Sequence, residues 1–167
     1  MQPTDSKIDS IMSQFPGPVR LYPSRKKWLL ILLISALFTA IGAWMVAEKA
    51  DAGWAGLIFF ATCLLVSALM LLPGAGGLVL DADGFQATNL FRRYRLHWQN
   101  VEGFEAVAIP GARQRLVGYD DVSIGRVIGA INKELSGRNA ALPDTYGFSA
   151  DALAELMRRW RERAMAG

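Results

Sequence analysis

Two runs of the chain contain no charged residue: "WLLILLISALFTAIGAWMV", Trp28 to Val46, and "WAGLIFFATCLLVSALMLL", Trp54 to Leu72. Each is 19 residues long. At about 1.5 Å per residue, a helix of that length covers about 28 Å, close to the hydrocarbon thickness of a bilayer. A buried helix of a soluble core normally keeps a polar stripe, and neither run has one. Tryptophans 28, 44 and 54 fall near the run ends, where an amphipathic ring favours the headgroup layer. The linker "AEKADAG", Ala47 to Gly53, is long enough only for a tight connection. Residues 28–72 are therefore expected to form a transmembrane helical hairpin with spans 28–46 and 54–72.

Charge sets the expected orientation. Arg20, Arg25, Lys26 and Lys27 precede the first run, whereas the linker sets Lys49 against Glu48 and Asp51. The positive-inside rule then puts both termini in the cytoplasm. The first run is longer than the apolar core of a cleaved signal peptide, and 27 residues precede it, which favours an uncleaved anchor. From Pro73 onward the chain carries 12 basic and 11 acidic residues, so its net charge of +3 comes mostly from the flank of the first span. Basicity here reports topology, and no nucleic-acid partner is expected. Cys63, the only cysteine, lies in the second span and is expected to be inert packing.

Residues 1–27 hold four prolines and little helical periodicity, and read as a mobile basic cytoplasmic arm. "PGAGG", 73–77, reads as a hinge: it lacks the lysine and spacing of a phosphate-binding loop. Residues 78–167 then read as a folded domain. "GLVLDADGFQATNL" has the form of a β-hairpin around an Asp-Ala-Asp-Gly turn. "YRLHW" alternates, with Tyr94, Leu96 and Trp98 on one side and Arg93, Arg95 and His97 on the other. "QNVEGFEAVAI" and "RLVGYDD" follow as strands. Ile124, Val127, Ile128, Ile131 and Leu135 have helical spacing, weakened by Gly125 and Gly129. The clearest soluble helix is C-terminal: Ser149 can cap it, and Leu153, Leu156, Met157, Trp160 and Ala164 form one apolar stripe.

Leu80-Asp81, Gly84-Phe85, the W-x-x-V-x-x-F pattern of Trp98, Val101 and Phe104, and the tail "LSGRNAALPDTYGFSADALAELMRRWRERA" together resemble small bacterial membrane proteins that carry a PH-like domain behind a transmembrane hairpin. The resemblance runs from about Leu29 to the C-terminus. It implies a membrane α-helical hairpin plus an α+β PH-like domain: a bent antiparallel sheet or partly open barrel, plugged by the C-terminal helix with Leu156 and Trp160 in the core. It also implies the cytoplasmic (inner) membrane of a bacterium as the location.

The same residues bound the chemistry. His97 would need a nucleophile, a carboxylate or further ligands to make a catalytic or metal site, and the sequence offers no such set. Asp81 and Asp83 match turn chemistry rather than a calcium loop, and Asp120–Asp121 are the other carboxylate pair. No catalytic residue, metal or cofactor is expected. Arg92, Arg93 and Arg95 form a possible grip for an anionic lipid headgroup, each basic residue near an anionic leaflet contributing about 1 kcal/mol. The bland reading is a solvated strand face with those arginines paired to Glu102 or Glu105. The arginines of the last helix interleave with Glu155 and Glu162, as on an ordinary solvent face. Within the spans the polar residues are Ser35, Thr39, Thr62, Cys63 and Ser67, none ionised, which disfavours a carrier. Ala36, Ala40 and Ala43 form a small-residue stripe able to pack a partner helix. The resulting expectation is a membrane-anchored interaction or adaptor module, with membrane lipids and a protein partner or second copy engaged through the spans or sheet surface. Anionic-lipid binding is the alternative, and a membrane-bound enzyme the third reading.

Overall fold

The computed structural model describes residues 3–108, 114–122 and 138–167. The chain divides into two compact units. One comprises 24–76 with 90–92; the other comprises the N-terminal residues to Pro23, then 77–89 and 93–167.

The first unit is a helical pair, α2 (Arg25–Ala47) and α3 (Ala52–Leu71). Both are long and apolar enough to cross a membrane. Phe38 stacks on Phe60 at 4.7 Å, Gly42 lies against Leu57, and Gly53 against Met45 and Val46. That succession is antiparallel and places the start of α2 at the same end as the exit of α3. The approach is close because both glycines lack a side chain: a Cβ on Gly42 would sit 2.9 Å from the Leu57 nitrogen, and one on Gly53 2.8 Å from the Val46 nitrogen. Helices in an apolar medium associate through this kind of backbone proximity. The hydroxyls stay satisfied within their own helices. Thr39 donates to the Ser35 carbonyl, Thr62 to Ile58, and Ser67 to Cys63 and Leu64. Around the rest of the pair, Leu33, Leu37, Ile58, Phe59 and Leu65 are exposed. α2 begins three residues before the expected span, so Arg25, Lys26 and Lys27 form its first turn.

The second unit is α+β. Its first sheet has the order β1 (Val19–Leu21), β2 (Gly76–Leu80), β3 (Gly84–Asn89), β4 (Arg92–His97). Its second has the order β5 (Val101–Ala108), β6 (Arg115–Asp121), β7 (Ala140–Ala141). A single 3-10 turn, Trp98–Asn100, carries the chain from one sheet to the other. The β5–β6 pairing is antiparallel and skips register between Glu102 and Glu105, where Gly103 takes φ +68°. That is a bulge that bends the strand. The last helix, α4 (Ala150–Met165), starts on Ser149, whose hydroxyl accepts the Ala152 N–H. Leu153, Leu156, Met157 and Trp160 are fully buried, as their spacing predicts. They meet an aromatic cluster in which Phe85 lies 5.6 Å from both Trp98 and Tyr119, and Phe104 lies 5.6 Å from Tyr119. The segment with helical spacing at 124–135 lies outside the described residues.

The N-terminal segment is the main correction to the sequence reading. Residues 1–27 were expected to form a mobile arm; instead α1 (Pro3–Met12) and β1 belong to the folded domain. β1 pairs antiparallel with β2, Val19 opposite Leu80 and Leu21 opposite Leu78. Ile8 is 2% exposed in the domain core, and Phe15 packs edge-on to Trp160 at 5.4 Å. The physical reason is tertiary. A helix this short is marginal alone, but Ile8 and Ile11 complete a core that α4 and the sheet leave open. Ile8→Ala should therefore cost about 2–5 kcal/mol of domain stability. Chemical denaturation of the full chain in detergent micelles, followed by circular dichroism, checks this; a mobile arm would give no change.

Candidate functional site

The β3–β4 hairpin carries Arg92, Arg93, Arg95 and His97 together with Phe85, Phe91 and Tyr94. At its open end, in the turn that joins β2 to β3, Asp81 organises the chain. Its Oδ1 accepts the N–H groups of Asp83 (3.0 Å) and Gly84 (2.9 Å), an Asx arrangement typical of Asp in turns. Its Oδ2 pairs with Arg95 at 2.9 Å, and Asp83 lies 3.6 Å from the same guanidinium. Gly84 is required here because a Cβ would collide with the Leu96 carbonyl. The Asp81 carbonyl accepts two indole N–H groups, Trp98 at 3.0 Å and Trp160 at 2.9 Å. Asp81 and Asp83 thus serve the turn.

At the other end the chain reverses through Leu90 and Phe91, with φ +47° and +65°. Two successive left-handed residues are the pattern that Asn-Gly usually fills, and bulky side chains there cost about 1–2 kcal/mol each. The Phe91 N–H donates to the Ala75 carbonyl at 3.2 Å, within the helical-pair unit. Leu90 and Phe91 remain 39% and 50% exposed. β4 itself is more exposed than the expected half-buried strand: Arg92, Arg93, Tyr94, Arg95 and His97 are all exposed and only Leu96 is half-buried. The reason is its place at the end of the four-strand order, with the core position taken by Trp98 in the following turn.

The three arginines of this strand do not act alike. Arg95 is held by Asp81 and Asp83, not by Glu102 or Glu105. Among the described residues no carboxylate pairs with Arg92 or Arg93. Asp120 holds Arg138 at 2.6 Å and the Asn139 N–H at 3.2 Å, while Asn139 also bridges to Asp121. Arg138 bonds Glu105 as well, and these hydrogen bonds, Glu105 first and then Asp120, push its pKa above the usual guanidinium value. Its side chain fills the space above Gly103 and Gly118 that a Cβ would occupy. The second carboxylate pair is therefore a structural clamp on the bulge. Among the described residues no three of His, Cys, Asp and Glu gather as a metal site.

A shallow groove of about 290 Å³ runs between β5 and α4, lined by Phe104, Ala106, Arg115 and Asp151 among others. Its charges are already paired: Arg115 with Asp151 at 2.8 Å, Arg158 with Glu155 at 2.6 Å and Glu105 with Arg138 at 2.8 Å.

The contact between α2 and α3 centres on Gly42 and Gly53. Ala40 and Ala43 are exposed and Ala36 is half-buried, whereas Ser35 and Gly42 are buried at that contact. Sequence reasoning missed that face, although Ser35, Thr39 and Gly42 recur at helical spacing. It also missed the Leu90–Phe91 turn, whose residues carry no turn chemistry. The only signal was the apolar pair interrupting a polar strand pattern.

Burial pushes the Tyr119 and Tyr146 pKa values well above 10. Compared with family models, curated proteins and solved structures, the chain matches none.

Two tests follow from this geometry. Gly42→Val should weaken the helical pair by about 1–3 kcal/mol, while Ala40→Val leaves it near wild type; thermal unfolding in micelles distinguishes them. The tyrosines give a pH window. Their raised native pKa means that above pH about 10 the unfolded chain releases protons that the native domain keeps. Stability is then complete below that pH and falls above it, approaching about 1.4 kcal/mol per pH unit for each buried tyrosine. Alkaline titration should show tyrosinate absorbance appearing together with loss of circular dichroism, and Tyr119→Phe with Tyr146→Phe should flatten the dependence.

Proposed function

We propose that this chain is a membrane-anchored interaction module without catalytic activity of its own. It holds a PH-like domain at the cytoplasmic face of a bacterial inner membrane to engage a protein partner. The observation that carries the reading is the pairing of two unlike units in one short chain. One is a helical pair whose outer surface is apolar, with Leu33, Leu37, Ile58, Phe59 and Leu65 exposed. The other is a domain with its own aromatic core, following the last apolar helix after a short turn.

Further support comes from the charge pattern. Arg25 and Lys26 are exposed in the first turn of α2, and the opposite end, 48–51, balances Lys49 with Glu48 and Asp51. An inner leaflet rich in anionic lipid favours the basic end. The PH-like assignment draws on the bent sheet pairing, the bulge at Gly103 and the amphipathic C-terminal helix with Leu156 and Trp160 in the core. In such a module the interior residues serve stability and the exposed sheet surface serves recognition.

Extraction of the full chain from its native membrane in mild detergent, after photo-crosslinking from positions on the sheet surface, tests the proposal. A protein retained in fixed stoichiometry and crosslinked to the domain is the expected result. Turnover of a defined substrate by the purified chain, or extraction with no protein attached, would overturn it.

A further inference from the structure

The Leu90–Phe91 turn breaks two preferences at once. Its backbone conformation favours Asn and Gly, and its exposure favours polar side chains, yet both positions carry large apolar groups. Neither departure is explained by the domain core, from which these residues are absent. They cluster with the helical pair, where the Phe91 N–H is tied to the Ala75 carbonyl just beyond the end of α3. Because the pair is antiparallel, the first turn of α2 lies at that same end, with Arg25 and Lys26 exposed. Arg92, also exposed, adjoins the turn and belongs to the same unit. An apolar tip that shares one end of a membrane-spanning pair with exposed cations matches one environment: the boundary between acyl chains and anionic headgroups.

We propose that the β3–β4 hairpin tip, Leu90–Phe91 with Arg92, is a membrane-contact element that seats in an anionic lipid surface beside the basic first turn of α2. It is a third point of attachment, built from the folded hairpin rather than from a span. Leu90 and Phe91 enter the acyl boundary, and Arg92 meets headgroup phosphate together with Arg25 and Lys26. Arg95 is excluded from this contact by its pairing with Asp81. The inference rests on the reading that α2 and α3 cross the bilayer, and it specifies a lipid contact that the adaptor reading does not require.

The test uses the full chain with Cys63→Ala, reconstituted in lipid nanodiscs of phosphatidylcholine alone or with phosphatidylglycerol. A fluorophore is placed at Phe91→Cys or, separately, at Ile41→Cys. Iodide quenching at position 91 should be several-fold weaker in the phosphatidylglycerol discs, with quenching by headgroup-level nitroxide lipid. Equal iodide access in both lipids overturns the proposal, as does protection that arises only in native membranes, which would make the occupant a protein. A label at position 41 that is shielded while position 91 is open sinks the tip alone. Both labels open to iodide would mean that the spanning reading has failed, and the tip with it. The paired variant Leu90→Asn, Phe91→Gly guards against misfolding, since it suits the turn. It should keep the domain Tm and raise deuterium uptake across β3–β4 in phosphatidylglycerol discs; unchanged uptake would count against the membrane contact.

Discussion

A single carbonyl oxygen ties the domain together. The Asp81 carbonyl accepts the indole N–H of Trp98, at the junction of the two sheets, and that of Trp160, from the last helix. Burying an indole without a partner for its N–H costs part of what its large apolar surface contributes. Two tryptophans can therefore occupy the core only because the β2–β3 turn points a carbonyl at both. The same residue's carboxylate fixes that turn through the N–H groups of Asp83 and Gly84. Arg161 adds a bond from its Nε to the Trp98 carbonyl, so α4 is referenced to the same corner.

The helical pair solves a different problem. In an apolar medium the contact between helices gains little from hydrophobic burial, so close backbone approach takes over. Gly42 and Gly53 supply it, and the hydroxyls of Thr39, Thr62 and Ser67 are satisfied along their own helices. The outer faces are left to large apolar side chains. No ionised group disturbs this arrangement between Trp28 and Val46 or between Trp54 and Leu72.

Function then falls to what each unit leaves exposed. Internal ion pairs absorb much of the conspicuous charge: Arg95 on Asp81, Arg138 on Asp120 and Glu105, Arg159 on Glu155. Arg92 stands out because no carboxylate pairs with it among the described residues. Arg92 beside Leu90 and Phe91 combines cation and apolar surface at the basic end of the helical pair. That combination suits a lipid boundary better than it suits water or a protein core.

Legible in the sequence alone were the helical pair, the turn at Asp81–Gly84, the β5 and β6 strands and the stripe of the last helix. Each rests on local physics: unbroken apolar length, turn chemistry, or a period of two or 3.6 residues. Tertiary structure decided what depends on distant partners. Ile8 and Val19 look like parts of a proline-broken arm until the sheet and α4 present a core with room for them. Arg95 looks equivalent to Arg92 until Asp81, 14 residues earlier, claims it. Gly42 looks like one more small residue beside Ala36, Ala40 and Ala43 until Leu57 comes within reach of its backbone. Leu90 and Phe91 carry no turn signal, because their left-handed conformation is imposed by the strands they join and by the bond to Ala75. Pattern reveals which face of an element is apolar. Only packing reveals which neighbour covers it.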